Sequence, residues 1–144
     1  MNFSLTQATD SDFPFLLDLR LKTMQAHLEA QGIFLTQPEH RERVAFKYPL
    51  AQIILIDNQQ AGLLKLEESE SALDIHQFQL LPQFQGMGYG RKILNQVIHR
   101  AGLKPVNLSV LKKNPAYRLY LSAGFIQVGE DQHEYHLTYQ QTNQ

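Results

Sequence analysis

Three glycines at alternate positions, Gly86, Gly88 and Gly90, stand between an apolar, alternating run that ends near Leu80 and a segment whose apolar residues recur at helical spacing. Those later residues are Ile93, Leu94, Val97, Ile98 and Ala101. The order is strand, glycine loop, helix, which limits the chain to folds that carry such a connection in their second half. Glycine at the mouth of a helix lets backbone approach a ligand closely and leaves unpaired N–H groups pointing outward, so an anion is the natural guest. Arg91 and Lys92 add positive charge at the same end, where cations are unfavourable unless an anion is bound.

The spacing excludes two common phosphate loops. No G-x-x-x-x-G-K-[ST] run occurs, and a dinucleotide G-x-G-x-x-G would need glycine at Arg91 or Ile93. What stands there is Gln85-Gly86-Met87-Gly88-Tyr89-Gly90, a Q-x-x-G-x-G pattern. A second block follows at Asn114-Pro115-Ala116-Tyr117-Arg118-Leu119-Tyr120-Leu121-Ser122-Ala123-Gly124-Phe125. On physical grounds it is a short helix with Asn114 as N-cap, Pro115 at the first helical position and Gly124 as a left-handed stop.

Together the two blocks resemble the GCN5-related N-acetyltransferases: the first is similar to that family's acetyl-coenzyme A pyrophosphate loop, the second to its N-P-A-x-x-L-Y-x-x-x-G-F element. The resemblance runs from about Ile53 to Tyr139 and more loosely over the start. It implies a mixed α/β fold whose central, mostly antiparallel sheet splays at one parallel strand pair between flanking helices. It also implies transfer of an acetyl group from acetyl-coenzyme A, as co-substrate, to a small-molecule or peptide primary amine that attacks the thioester directly. The alternative on the same fold is a non-catalytic acyl-coenzyme A sensor.

The remaining elements read in order. Phe3 and Leu5 alternate with Ser4 and Thr6 as a first strand; Thr9 and Asp12 form a capping box in its shorter-acid form, and a helix runs to about Ala30, ended by Gly32. Pro38 to Tyr48 is a second, more polar helix. Gln52 to Ile56 and Ala61 to Leu66, joined by turn residues, read as a hairpin. Leu73 to Leu81 feeds the glycine loop; Val106 to Leu111 follows the loop's helix, and these two strands should run parallel to each other. Phe125 to Val128 and Glu134 to Tyr139 close the chain as a hairpin around Gly129-Glu130-Asp131, and the tail Gln140 to Gln144 is expected to fray.

At 144 residues a single domain spanning 1–144 is expected. Thirteen basic and 14 acidic side chains give a net charge of −1, with no basic stripe of the kind a nucleic-acid binder carries. Cysteine is absent, which excludes disulfides, thiolate metal sites and a cysteine nucleophile. No apolar run approaches the ~20 residues needed to span a bilayer, and no signal segment precedes the first strand, so no membrane partner and a cytoplasmic location are expected. The histidines His27, His40, His99, His133 and His136 show no spacing that builds a metal site, and none is expected.

The chemistry implied needs a grip on the cofactor, stabilisation of the carbonyl oxygen, and a route for two protons. The grip falls to main-chain amides from Gly86 to Lys92, with Gln85, Met87, Tyr89 and Arg91 in the same loop. Phe78, Leu80 and Leu81 on the preceding strand face the acyl arm, Leu80 through its backbone amide, and Pro82, lacking an N–H, helps to end the ladder there. Tyr120 is the implied proton donor to the departing thiolate, and core packing beside Leu119 is its alternative use. Tyr117 and Asn114 are implied along the pantetheine arm, although capping alone accounts for Asn114. For the base, Asp74 and His76 share a strand face with Phe78 and Leu80, and Glu67, Glu68 and Glu134 are further options. Some relatives pair through their closing strands, so the resemblance allows a homodimer.

Overall fold

A computed structural model describes residues 2–141. Seven strands form one sheet in the order β1-β2-β3-β4-β5-β7-β6. The strands are β1 (Phe3–Gln7), β2 (Ala51–Ile56), β3 (Gln59–Glu68), β4 (Leu73–Leu80), β5 (Val106–Leu111), β6 (Ile126–Glu130) and β7 (Glu134–Tyr139). Five helices accompany them: α1 (Phe13–Thr23), α2 (Gln25–Ala30), α3 (Gln37–Ala45), α4 (Tyr89–Ala101) and α5 (Ala116–Ser122). Neighbours β1/β2, β2/β3, β5/β7 and β6/β7 are antiparallel, whereas β4 and β5 run parallel, as a β-α-β crossover requires. That parallel ladder holds only Leu73↔Val106, Asp74↔Asn107 and Ile75↔Leu108, although β4 continues to Leu80 and β5 to Leu111. This is the expected splay.

The chain packs as two compact units. The first takes the chain up to Lys65 together with Gln77–Gln85; the second takes Leu66–His76 and everything from Gly86 onward. In the first, α1 and α3 close over β2 and β3 around Leu16, Leu17, Leu19, Val44, Ile53 and Leu63. The second buries Ile93, Leu94 and Val97 of α4, Val106, Leu108 and Val110 of β5, and Leu137 of β7.

Several boundaries differ from the sequence expectation, each for a local reason. The helix expected to reach Ala30 breaks at Met24, just after Thr23, whose hydroxyl donates to the Leu19 carbonyl at 2.7 Å; such back-bonding bends helices. The second helix ends at Ala45 rather than Tyr48, because Phe46 leaves helical geometry (ψ 121°) and Lys47 is left-handed (φ 51°). Its start is the stronger signal: Thr36 and Glu39 form a reciprocal capping box. Asp57 and Asn58, at φ 51° and 63°, make the tight turn between β2 and β3, so β3 starts at Gln59, inside the expected loop. The closing turn lies at 131–133 instead of around Gly129, which sits within β6; Asp131 Oδ1 accepts the N–H groups of His133 and Glu134 at 2.9 and 2.8 Å. Of the tail expected to fray, Thr142 to Gln144 lie outside the described residues.

Candidate functional site

The glycine loop is built by backbone geometry. Gly86 and Gly88 adopt φ of 75° and 88°, and a Cβ added at either meets nothing within 4 Å, so conformation rather than crowding requires glycine there. Gly90 is different: it lies inside the first turn of α4, where a Cβ would come within 3.0 Å of the Leu119 Cδ2 methyl of α5. Arg91 Nη1 donates to Ser122 Oγ at 3.1 Å, which also ties α4 to α5.

The Lys92 N–H donates to the Gly88 carbonyl at 3.2 Å and so is already used, contrary to the expectation that the run of free donors reaches Lys92. The six amides from Gly86 to Arg91 have no acceptor among the described residues. Six successive donors without an acceptor among the described residues stand at the positive end of a 13-residue helix, where an anion is favoured. Tyr89, the first helical residue, turns its ring inward and is buried, while Met87 is exposed.

In the first unit, the strand leading to the loop ends in a defined way. Leu81 donates its N–H to the Ala61 carbonyl at 2.8 Å, and Pro82 opens a 3-10 turn that runs to Phe84. Gln85 folds back, its amide nitrogen donating to the Leu80 carbonyl at 2.8 Å, so that side chain braces the strand end. Leu80 and Leu81 are buried and Phe78 half-buried.

On α5, Asn114 Oδ1 accepts the Ala116 N–H at 2.9 Å. The capping bond is the expected one, but Pro115 holds the cap position and the helix begins at Ala116, one residue later than expected. Gly124 takes the left-handed stop at φ 106°, and a Cβ there would strike the Tyr139 ring at 2.8 Å. Tyr117 stacks on Tyr135 with ring centroids 4.6 Å apart, and its hydroxyl donates to Gln127 Oε1 at 3.0 Å. Tyr120 is buried edge-on against Phe125, centroids 5.8 Å apart, and burial pushes its phenol well above the usual tyrosine range. Its hydroxyl makes no hydrogen bond to any described residue.

Asp74 and His76 are both half-buried, one strand repeat apart on β4. Asp74 Oδ1 accepts from Asn107 Nδ2 at 3.3 Å, and Asn107 Oδ1 accepts from Thr138 Oγ1 at 2.7 Å, a polar chain across β4, β5 and β7. His76 Nε2 lies 2.8 Å from Glu67 Oε1, which singles out Glu67 from the carboxylates the sequence left unranked. Glu68 is drawn instead to Lys104 at 3.0 Å, which holds its carboxyl below the usual range. Sequence offered no means of pairing Glu67 with His76, because they lie on different strands and only the sheet brings them together. Among the described residues no helix is long and apolar enough to cross a membrane.

A family profile described as an acetyltransferase (GNAT) domain matches residues 26–142. A search of curated proteins found no match. Solved structures share the fold at low identity. PaiA N-acetyltransferase from Thermoplasma acidophilum, solved in complex with coenzyme A, aligns with a TM-score of 0.74 at 13% identity over 98% of this chain and 100% of its own. An acetyltransferase from Thermus thermophilus gives 0.76 at 16% identity, covering 98% of each chain. N-acetylglutamate synthase from Neisseria gonorrhoeae, complexed with coenzyme A and N-acetyl-glutamate, gives 0.69 at 18% identity, covering 99% of this chain and 36% of its own. With the profile spanning most of the chain and a seven-stranded sheet splayed at its parallel pair, the chain belongs to the GNAT acetyltransferase family.

Proposed function

We propose that the chain acts as one acetyl-coenzyme A-dependent N-acetyltransferase domain, in which a primary amine attacks the thioester directly. The carrying observation is the run of six backbone N–H groups, Gly86 to Arg91, that find no acceptor among the described residues. They fit a pyrophosphate, whose charge the α4 N-terminus also favours. The coenzyme A complexes of the Thermoplasma and Neisseria proteins support the same cofactor here.

When bound, the cofactor supplies an electrophilic carbonyl and a thiolate leaving group. An alkyl ammonium of pKa about 10 is mostly protonated at neutral pH, so a neighbouring group must take its proton. The 2.8 Å contact between His76 and Glu67 supports His76 as that base. A carboxylate on Nε2–H favours the tautomer whose lone pair lies on Nδ1 and fixes the ring's orientation. Asp74 is braced by Asn107 and supports the strand face beside it. Tyr120 stays protonated in its apolar surroundings, so a proton is at hand for the thiolate as it departs. Phe78, Leu80 and Leu81 with Asn114 and Tyr117 line the route of the acyl arm in this reading.

Calorimetry with acetyl-coenzyme A and a turnover assay over a panel of amines test the proposal together. Gly88→Val puts a branched side chain at φ 88° and should abolish saturable binding while leaving the fold intact by circular dichroism. Tight binding by that folded variant would remove the loop from the reading. Saturable binding by the wild type with no amine turned over would favour a sensor module over an enzyme.

A further inference from the structure

Within the first unit, α1, α3 and β3 bury the positive charges of Arg20 and Lys65 with no carboxylate paired to either among the described residues. Arg20 on α1 is 5% exposed, His40 on α3 2% and Lys65 on β3 0%. The Lys65 ammonium donates to the carbonyl oxygens of Val44, at 2.9 Å, and Phe46, so the end of α3 meets most of its hydrogen-bonding capacity. Arg20 is less well served. A guanidinium carries five N–H donors, and only Nε has a described acceptor, His40 Nδ1 at 3.1 Å.

No carboxylate among the described residues pairs with Arg20 or Lys65. Burial, with the like charge of Arg43, pulls Arg20 down to about 10; burial, with the charge of Arg20, pulls Lys65 down to about 8. Burial, with the positive fields of Arg20 and Arg43, pulls His40 below the ordinary histidine value, against the opposing charges of Glu29 and Glu39.

Two details say where a ligand would enter and what it would be. The sealed side-chain atoms without partners are His40 Nε2 and Gln77 Oε1; the terminal nitrogens of Arg20 are not among them, so the 5% of this residue left exposed includes part of its fork. Because His40 Nδ1 accepts from Arg20, the neutral ring carries its proton on Nε2, and the histidine holds the guanidinium in one orientation. A planar fork with two free ends matches the two oxygens of a carboxylate. Two of the three Lys65 protons are already committed, which leaves little to hold the third oxygen and second charge of a phosphate.

We propose that the terminal nitrogens of Arg20, steadied by His40, form a binding site for the carboxylate of a small molecule. Two sources share that chemistry. The carboxylate belongs either to the acceptor amine, which rests on the transferase reading above, or to a separate ligand.

The test follows the Arg20 Nε resonance of the full chain, assigned by its loss in Arg20→Lys, during titration with sodium acetate and with sodium chloride at equal ionic strength. A saturable shift with acetate and none with chloride is expected. Equal responses to the two salts overturn the proposal whatever the transfer activity. A second arm compares amino acids with their carboxamides as acceptors. If the acceptor supplies the carboxylate, wild type should prefer the acid by about tenfold in KM, the range of a charge-assisted hydrogen bond, and Arg20→Lys should erase the preference. If acetate saturates the site while acid and amide react alike, or while no amine reacts, the site stands and its ligand is a separate carboxylate. That last outcome would sink the transferase reading alone.

Discussion

A side chain at position 62 has nowhere to go. A Cβ on Gly62 of β3 would lie 2.1 Å from the Gln79 carbonyl oxygen of β4, a backbone atom that cannot swing aside. Ala61 is the extra residue of a bulge there, since Ile54 faces Gly62 and Leu55 faces Gln60, and its carbonyl takes the Leu81 N–H. Gly62→Ala should therefore cost about 2–3 kcal/mol, at the upper end for overpacking, in urea denaturation; a change below about 0.5 kcal/mol would show that β4 gives way freely. This glycine left only a faint trace in the sequence, an isolated Gly within an apolar run, whereas Gly86 and Gly88 declared themselves by spacing. The catalytic proposal also meets its test at a single residue. Glu67→Gln keeps a hydrogen-bond partner for His76 but removes the charge, and should lower kcat about tenfold or more, within the range of general-base assistance. Unchanged turnover across the pH range would leave Glu67 a surface contact only.

Among the elements, β3 carries the least expected burden, because Lys65 occupies a position the apolar pattern Leu63, Leu64, Leu66 marks as core. Its folded pKa of about 8 lies below the ordinary lysine value of 10.5, so between those values the unfolded chain binds more protons than the folded one. Stability from this group should rise as pH climbs through about 8, and the cost of burying the charge is fully present below that. Tyr120 acts in the opposite sense above pH ~10, where the unfolded phenol ionises and the buried one does not. Thermal unfolding from pH 7 to 10 should show the rise in wild type and a flatter profile in Lys65→Met; parallel profiles would mean the ammonium is hydrated after all. Elements with strong local chemistry were legible in the sequence: the Thr9–Asp12 capping box, the Asp57-Asn58 turn, the glycine loop. The break at Met24 was not, since it follows from a single hydroxyl bond, and neither was the three-residue length of the parallel ladder, which depends on register between strands distant in the chain.

For the molecule as a whole, the two blocks in the second half placed the chain in its family before any coordinate was known, because each couples a glycine requirement to a helix terminus. The first half was opaque for a physical reason. Its distinctive contacts, Arg20 with His40 and Lys65 with the end of α3, join residues about 20 positions apart, and no local periodicity announces them. The unpartnered amides from Gly86 to Arg91 carry one more consequence for the intact protein. Lacking acceptors, they should trade protium for deuterium almost at once in heavy water, faster than the strand ladders on either side. Coenzyme A should slow that short segment above all others, so the free protein holds a built-in clock that stops only when its guest arrives.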